Sequence, residues 1–411
     1  MSLSNLCQVT RQACDILAPL ISTLYSTNSF QAIHKSDSSV FTIADGLVQA
    51  LLTEHLLGNN QPISQSTPFT QSQVKFKAIV GEEESNVNIF TKPYKVDNLL
   101  IPEQHYDLID TIRESITTLG NTLDYTSYKD LTVFIDPIDG TREFSTGKGE
   151  QCSICVGFAD STGKPVAGVV YRKMIRLFNK LVCVLSYIYH YSVHYTIIAG
   201  PLTDPPTWAA GALSESYKEN HLDHQHPPKT DGFLTSNGSI SPFTTSLMAG
   251  LSYVRVPSGG AGNKALMLLE GKGDVYIQDR GVSRWDTCAA QAVLEAHGGS
   301  LTQLAHFLLD QSLLSYTYLQ SETNLDFRPG TAALTKFNVR DKTTLADRPA
   351  VEGEEVYAQD ATEVKAYANL NGLLALSPPL STTSPLNLED RLSVVYEAAV
   401  RASAVSPPSF D

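Results

Sequence analysis

The sequence predicts a protein of mixed α/β content, on three observations. Apolar residues recur at helical spacing over residues 3 to 26 (Leu3, Leu6, Ala13, Ile16, Leu17, Leu20, Ile21, Leu24). Short apolar runs bounded by turn residues, KFKAIVG, VFI, QCSICVGF and PVAGVVY, read as strands. Residues 247 to 278 then alternate helix and strand signals. At 411 residues the chain has room for two domains with cores of their own.

Taken in order, the helical pattern of residues 3 to 26 resumes over Thr42 to Leu52, and a stretch through about Ser72, rich in Asn, Gln, Ser and Pro, reads as loop. KFKAIVGEEESN is a short strand that runs through Gly81 into Glu82, Glu83 and Glu84. Residues 104 to 121 read as a helix. In VFIDPIDGTREFS, Val133, Phe134 and Ile135 end a buried strand, and Pro137 and Gly140 force a tight turn. QCSICVGFAD, a turn at Gly163 and PVAGVVY form a strand–turn–strand unit. GVSRWDTCAAQAVLEAHGG closes a loop and opens a helix that stops at Gly298 and Gly299. Residues 322 to 363 are polar and charged, and SPPLSTTSPLNLED is a Pro/Ser-rich loop. No internal repeat is visible.

One segment stands apart. Residues 174 to 199, MIRLFNKLVCVLSYIYHYSVHYTIIA, are apolar and tyrosine-rich and long enough to span a membrane. Arg176, Lys180, His190 and His194 interrupt the run, so an additional buried insertion is the preferred reading and no membrane partner is expected.

Composition narrows the function classes. An apolar fraction of 42% with 18% charged residues is that of a globular chain, not a disordered or fibrous one. A formal charge of −13 argues against a nucleic-acid surface, which needs clustered Lys and Arg. Small anionic substrates stay open if metal ions supply local positive charge. Six cysteines scattered through a large chain are the usage of reduced intracellular thiols. Cys152 and Cys155 form a C-x-x-C inside a strand, with no second pair at zinc spacing, so a structural role is preferred. The N-terminus has no basic region followed by an apolar core, and a cytoplasmic address is the default.

Glu82, Asp136, Asp139 and Asp286 each stand where a strand ends or a helix begins. Singly, each is a cap or a solvated loop acid; Asp286 in particular sits where capping and the helix dipole would suffice to explain it. Together, with the Ile138 carbonyl, they can supply oxygen ligands to two or three Mg²⁺ ions. Such a site suits hydrolysis of a phosphate ester by water that the metals activate. Thr141 could relay a proton from that water to an acid behind it, and Asp45, in FTIADGLVQ, is the candidate, although alone it reads as a helix-start residue.

FTIADGLVQ, IVGEEESN, DPIDGTREF, SGGAGNKAL and SRWDTCAAQAVLEAHGG, in this order, resemble the lithium-sensitive, magnesium-dependent phosphatase superfamily that includes inositol monophosphatase. The resemblance covers about residues 5 to 172 and 206 to 302, with a weaker match at NGLLAL. Within it, GGAGNKALMLLEGKGDVYI, WDTCA and the Arg142-Glu143-Phe144 triplet are most similar to 3'(2'),5'-bisphosphate nucleotidase, while GEEESN and the isoleucine of DPIDGT are similar to inositol polyphosphate 1-phosphatase. The implied substrate is adenosine 3',5'-bisphosphate or an inositol polyphosphate.

The resemblance further implies a layered α/β/α/β/α sandwich with an α+β domain over residues 1–172, an atypical insertion at 173–200 and an α/β domain over 201–411. It implies metal ligands at Glu82, Glu83, Asp136, the Ile138 carbonyl, Asp139 and Asp286, and an Asp45–Thr141 couple that activates water. Substrate contacts are implied at Gly140, Thr141, Ser236, Gly260, Ala261, Lys264 and Asp286, with Lys264 set to pair with a phosphate that is not cleaved. Two departures stand out. Near LTSNGSIS the nucleotidases carry a basic or histidine residue, and only Ser236 and Asn237 match that neighbourhood here. Residues 174 to 199 interrupt the family pattern between Tyr171 and Trp208, as an insertion or a translated intervening segment, which sequencing the transcript decides. The rival from another class is an inactive binding protein for phosphorylated ligands.

Overall fold

The structure, a computed structural model, describes residues 2–27, 29, 31–34, 40–58, 76–123, 127–172, 206–223, 231–279, 282–321, 367, 371–379 and 387–408. The stretch 174–199 and the charged region 322–363 lie outside these residues.

The first half begins with helix α1 (Leu3–Ser26), the short strands β1 (Ile33–His34) and β2 (Val40–Phe41), and α2 (Ile43–Ala50), which passes into a π-helical turn over Leu51–Leu56. Strand β3 (Ala78–Gly81) is followed by β4 (Val87–Asn88), β5 (Lys95–Val96), β6 (Leu99–Leu100) and α3 (Tyr106–Gly120). Then come β7 (Thr132–Asp139), α4 (Thr141–Ser145), β8 (Ser153–Ala159), β9 (Pro165–Arg172), β10 (Thr207–Ala212) and β11 (Tyr217–His221). The remainder comprises β12 (Gly232–Thr235), α5 (Pro242–Leu251), β13 (Val254–Pro257), α6 (Ala261–Leu269) and β14 (Val275–Gln278). After these are α7 (Arg284–Ala296), β15 (Ser300–Gln303), α8 (Leu304–Asp310), β16 (Leu373–Leu376) and α9 (Leu388–Val405).

Two sheets organise these elements. The first has strand order β11-β10-β9-β8-β7-β3, antiparallel except for the β3–β7 pair. The second has order β13-β12-β14-β16-β15, with β16 running antiparallel between β14 and β15. β10 and β11 follow residue 200 in the chain yet complete the first sheet, so the chain passes from the first sheet to the second between His221 and Gly232.

Side-chain alternation shows how the sheets are covered, because neighbouring residues on a strand face opposite ways. On β7, Val133 and Ile135 join a core with α1, α2 and α3, whereas Phe134 joins one with α6 and α7. On β14, Tyr276 meets α6 and α7, whereas Val275 and Ile277 meet α5, α8 and α9. Helix, sheet, helix, sheet, helix is therefore the layer order, the expected sandwich. Burial on both faces explains why these strands read as near-continuous apolar runs. Helix α9 was not anticipated: its Asn387 cap and first turn lie in what reads as a Pro/Ser-rich loop, since Asn387 Oδ1 accepts from the Asp390 amide.

Candidate active site

The site grows from the end of β7. The strand does not stop at Ile135 but continues to Asp139, with its pairing to β8 irregular between Asp136 and Asp139. Pro137, which has no N–H to give the ladder, lies in that irregular stretch. Gly140 then turns the chain at φ +94°, a conformation that favours glycine, and Thr141 opens α4.

Asp139 does more than await a cation. Its Oδ1 accepts from the Ala261 amide at 2.7 Å, and its Oδ2 from the Gly262 amide at 2.8 Å and from Ser153 Oγ at 2.7 Å. The anion that the GGAGNK amides approach is thus a protein carboxylate at the N-terminus of α6. Gly260, at φ +64°, permits the approach: a Cβ there would fall 2.7 Å from Asp139 Oδ2.

Asp286 comes from the first turn of α7, where the Ser283 amide donates to its Oδ2 in a capping box. One carboxylate oxygen from each of Asp136, Asp139 and Asp286 lies within 4.8 Å of the others. Burial, then Glu82, Asp139 and Asp286, push the Asp136 carboxyl well above the usual range. Asp286 is pushed up to about 6, by burial and by Asp139, against the hydrogen bonds from Asp136 and Ser283. Glu82 follows β3, its amide bonded to the Ile135 carbonyl at 3.1 Å, which brings it beside Asp136.

Glu83 faces another way. It is buried, its amide donates to Gln49 Oε1 at 2.9 Å, and its charge acts on Asp45. Asp45 is the third residue of α2, fully buried, with Oδ2 accepting from the Thr42 amide at 2.8 Å and from the Thr42 hydroxyl. Its Oδ1 lies 3.0 Å from Thr141 Oγ1, which also lies 3.0 Å from the Ile138 carbonyl oxygen. Burial and Glu83 push the Asp45 carboxyl up to about 7. The two glutamates next to each other in sequence therefore serve different acids.

A cavity of about 610 Å³ opens beside Asp139 and Asp286, and Gly140, Ser236, Gly260, Ala261 and Lys264 all line it. Lys264 is 2% exposed, and burial lowers it to about 8 even with Asp139, Glu143 and Asp286 pulling the other way. Its Nζ donates to the Ser258 carbonyl at 3.3 Å and lies 4.9 Å from the Tyr276 ring centroid.

The inositol monophosphatase family matches residues 2–324. The chain belongs to that family. Among members, it is 29% identical over 237 residues to rat 3'(2'),5'-bisphosphate nucleotidase 1, covering 55% of this chain and 63% of that protein. The namesake from Dictyostelium discoideum is 26% identical over 311 residues, covering 72% and 85%. This chain thus spans less than two thirds of the rat relative's length. A crystal structure of Staphylococcal IMPase-I complexed with products aligns over 76% of this chain and 88% of that one, with 14% identity and a TM-score of 0.44.

Several residues of this family member's site escape sequence reasoning. Ser153 reaches Asp139 because the register of β7 and β8 sets them opposite each other. Asn263 Nδ2 holds Ser258 Oγ at 2.8 Å and the Gly259 carbonyl at 2.9 Å, and its own Oδ1 accepts from Arg172 Nη1 at 2.8 Å. Asn237 Nδ2, from the second half, donates to Glu143 Oε1 at 2.8 Å and Gln151 Oε1 at 2.7 Å in the first. No local pattern marks these contacts.

Proposed function

We propose that the chain is a magnesium-dependent, lithium-sensitive phosphomonoesterase that removes the 3'-phosphate of adenosine 3',5'-bisphosphate and of its sulfated form. The observation that carries the reading is the pairing of three convergent buried acids with a separate Asp45–Thr141 couple. The acids fit a hard divalent cation: their donors are all oxygen, and burial together with the neighbouring carboxylates raises Asp136 and Asp286. Asp136, Asp139 and Asp286 would hold the first ion, with Glu82, Glu83 and the Ile138 carbonyl available to a second or third. When bound, such ions neutralise charge on phosphate oxygens and acidify water.

The chain's own residues handle the proton. Thr141 Oγ1 takes one from the attacking water while passing its own to Asp45 Oδ1, 3.0 Å away. Because Thr42 fixes Oδ2, Oδ1 keeps its aim. A carboxyl poised near 7 exchanges protons readily at neutral pH. The nucleotidase-named relatives support the substrate, and the free, buried Cys7, Cys14, Cys152, Cys155 and Cys288 support a cytoplasmic address, which cell fractionation checks.

One observation favours a second reading, inositol polyphosphate 1-phosphatase: among the described residues, no aromatic or histidine side chain lines the cavity to stack on a base. Phosphate release from adenosine 3',5'-bisphosphate and inositol 1,4-bisphosphate, with magnesium and with or without lithium, decides between them. Faster lithium-sensitive turnover of the nucleotide supports the first reading, and faster turnover of the inositol compound the second. Binding without release from either makes the chain an inactive binding protein.

A further inference from the structure

Two basic side chains line the cavity among the described residues, and they differ in what their charge already faces. Lys264 is buried against Asp139, Glu143 and Asp286, so its charge offsets the acid cluster. Arg142, the residue after Thr141, is exposed, lines the cavity, and has no hydrogen bond or ion pair from its guanidinium among the described residues. A guanidinium in that situation is a planar fork suited to bidentate binding of phosphate.

The wall opposite belongs to the other half of the molecule. A Cβ on Gly238 would lie 4.0 Å from Arg142 Nη1, so the guanidinium faces the Ser236–Ser239 turn. That turn is clamped from behind by Arg255. Its Nε donates to Thr235 Oγ1 at 2.9 Å, and its Nη2 donates to the carbonyls of Ser236 at 3.0 Å and Gly238 at 2.6 Å. In a trans peptide the N–H points opposite to the preceding C=O. The clamp therefore turns the amides of Asn237 and Ser239 away from Arg255, on residues that line the cavity. Two amides, the hydroxyls of Ser236 and Ser239 and a guanidinium are the parts of an anion cradle.

We propose that Arg142, with Ser236, Ser239 and the turned amides, forms the subsite for the phosphate group of a bisphosphorylated substrate that is not hydrolysed. The proposal rests on the bisphosphate reading above and moves that role from Lys264, where the sequence set it, to Arg142. It makes Arg142 the residue by which the chain prefers a bisphosphate to a monophosphate.

The test compares full-length wild type, R142K and R142Q with magnesium on adenosine 3',5'-bisphosphate and on adenosine 3'-monophosphate, which carries the same scissile group and lacks the second phosphate. In R142Q, KM for the bisphosphate is expected to rise about tenfold more than KM for the monophosphate, with R142K between the two. An equal change on both nucleotides, or none, overturns the subsite. If the wild type releases phosphate from neither nucleotide, it is the nucleotidase reading that fails. The subsite is then decided by calorimetric titration of adenosine 3',5'-bisphosphate into wild type and R142Q. Binding about tenfold weaker in R142Q upholds it, and equal or absent binding overturns it.

Discussion

Asp45 and Asp286 occupy the same position in the same local motif, yet they meet different chemistry. Each is the third residue of a helix, α2 or α7, and each carboxylate takes the amide of its N-cap residue, Thr42 or Ser283, on Oδ2. Beyond the motif, Asp45 presents Oδ1 to Thr141, whereas Asp286 contributes an oxygen to the cluster with Asp136 and Asp139. A capping carboxylate has a second oxygen, and the tertiary fold decides what that oxygen meets. Reading each acid as a cap was right and incomplete.

The comparison breaks or sharpens under four experiments. The largest effect belongs to the cluster: Asp286→Asn is expected to lower kcat/KM on the order of 10³-fold, by loss of charge stabilisation at the phosphate. Asp45→Asn, or Thr141→Val, is expected to cost on the order of 10²-fold in kcat with KM kept, since only the proton relay is lost. Steady-state kinetics distinguish the two patterns. A KM effect from Asp45→Asn equal to that of Asp286→Asn would merge the two roles.

Magnesium titration separates the same variants without turnover. At about 100 times its dissociation constant the ion should stabilise the wild type by roughly 2.7 kcal/mol, seen as a rise in Tm. Asp45→Asn should retain that rise and Asp286→Asn should lose most of it. The reverse outcome would place the ion beside Asp45.

Next in size is a dependence on pH. A carboxyl raised in the folded state contributes stability that is complete below its unfolded value of 3.8 and lost as pH climbs through the folded one, about 6 for Asp286 and about 7 for Asp45. Metal-free protein should therefore have a lower urea midpoint at pH 8 than at pH 5. Added magnesium should restore the part that comes from Asp286, and Asp45→Asn the part that comes from Asp45. A flat profile would mean that neither acid is raised.

The smallest effects come from the caps. Thr42→Ala and Ser283→Ala should each cost about 1 kcal/mol in urea unfolding. Only Thr42→Ala should also lower kcat, because Thr42 alone holds the acid behind the relay. Equal kinetic losses would show that the caps do not report the division.

How much of this was legible in the sequence depends on the range of the interaction. The strand before Asp136, the turn at Gly140 and the helix starts at Asp45 and Asp286 are local, and their residues carry the signal. The partners of Asp139 are not: the Gly262 amide and Ser153 reach it from α6 and β8, through a helix placement and a strand register that no neighbouring residue encodes. The same holds for Glu82 and Glu83, whose adjacent positions look alike in sequence and part only because the Glu82 amide bonds the Ile135 carbonyl of β7 while the Glu83 amide bonds Gln49 of α2. Helix α9 was missed for a different reason, a Pro/Ser-rich approach that masks its Asn387 cap.

The placement of β16 bears on how the chain assembles as it is made. Leu373–Leu376 fills the gap between β14 and β15, although both of those strands have left the ribosome some seventy or more residues earlier. Until then each exposes an open edge that could pair with another nascent chain. The exposed interval for these two strands should therefore run from the emergence of Gln303 to that of Leu373, and it ends when NGLLAL emerges and covers their facing edges.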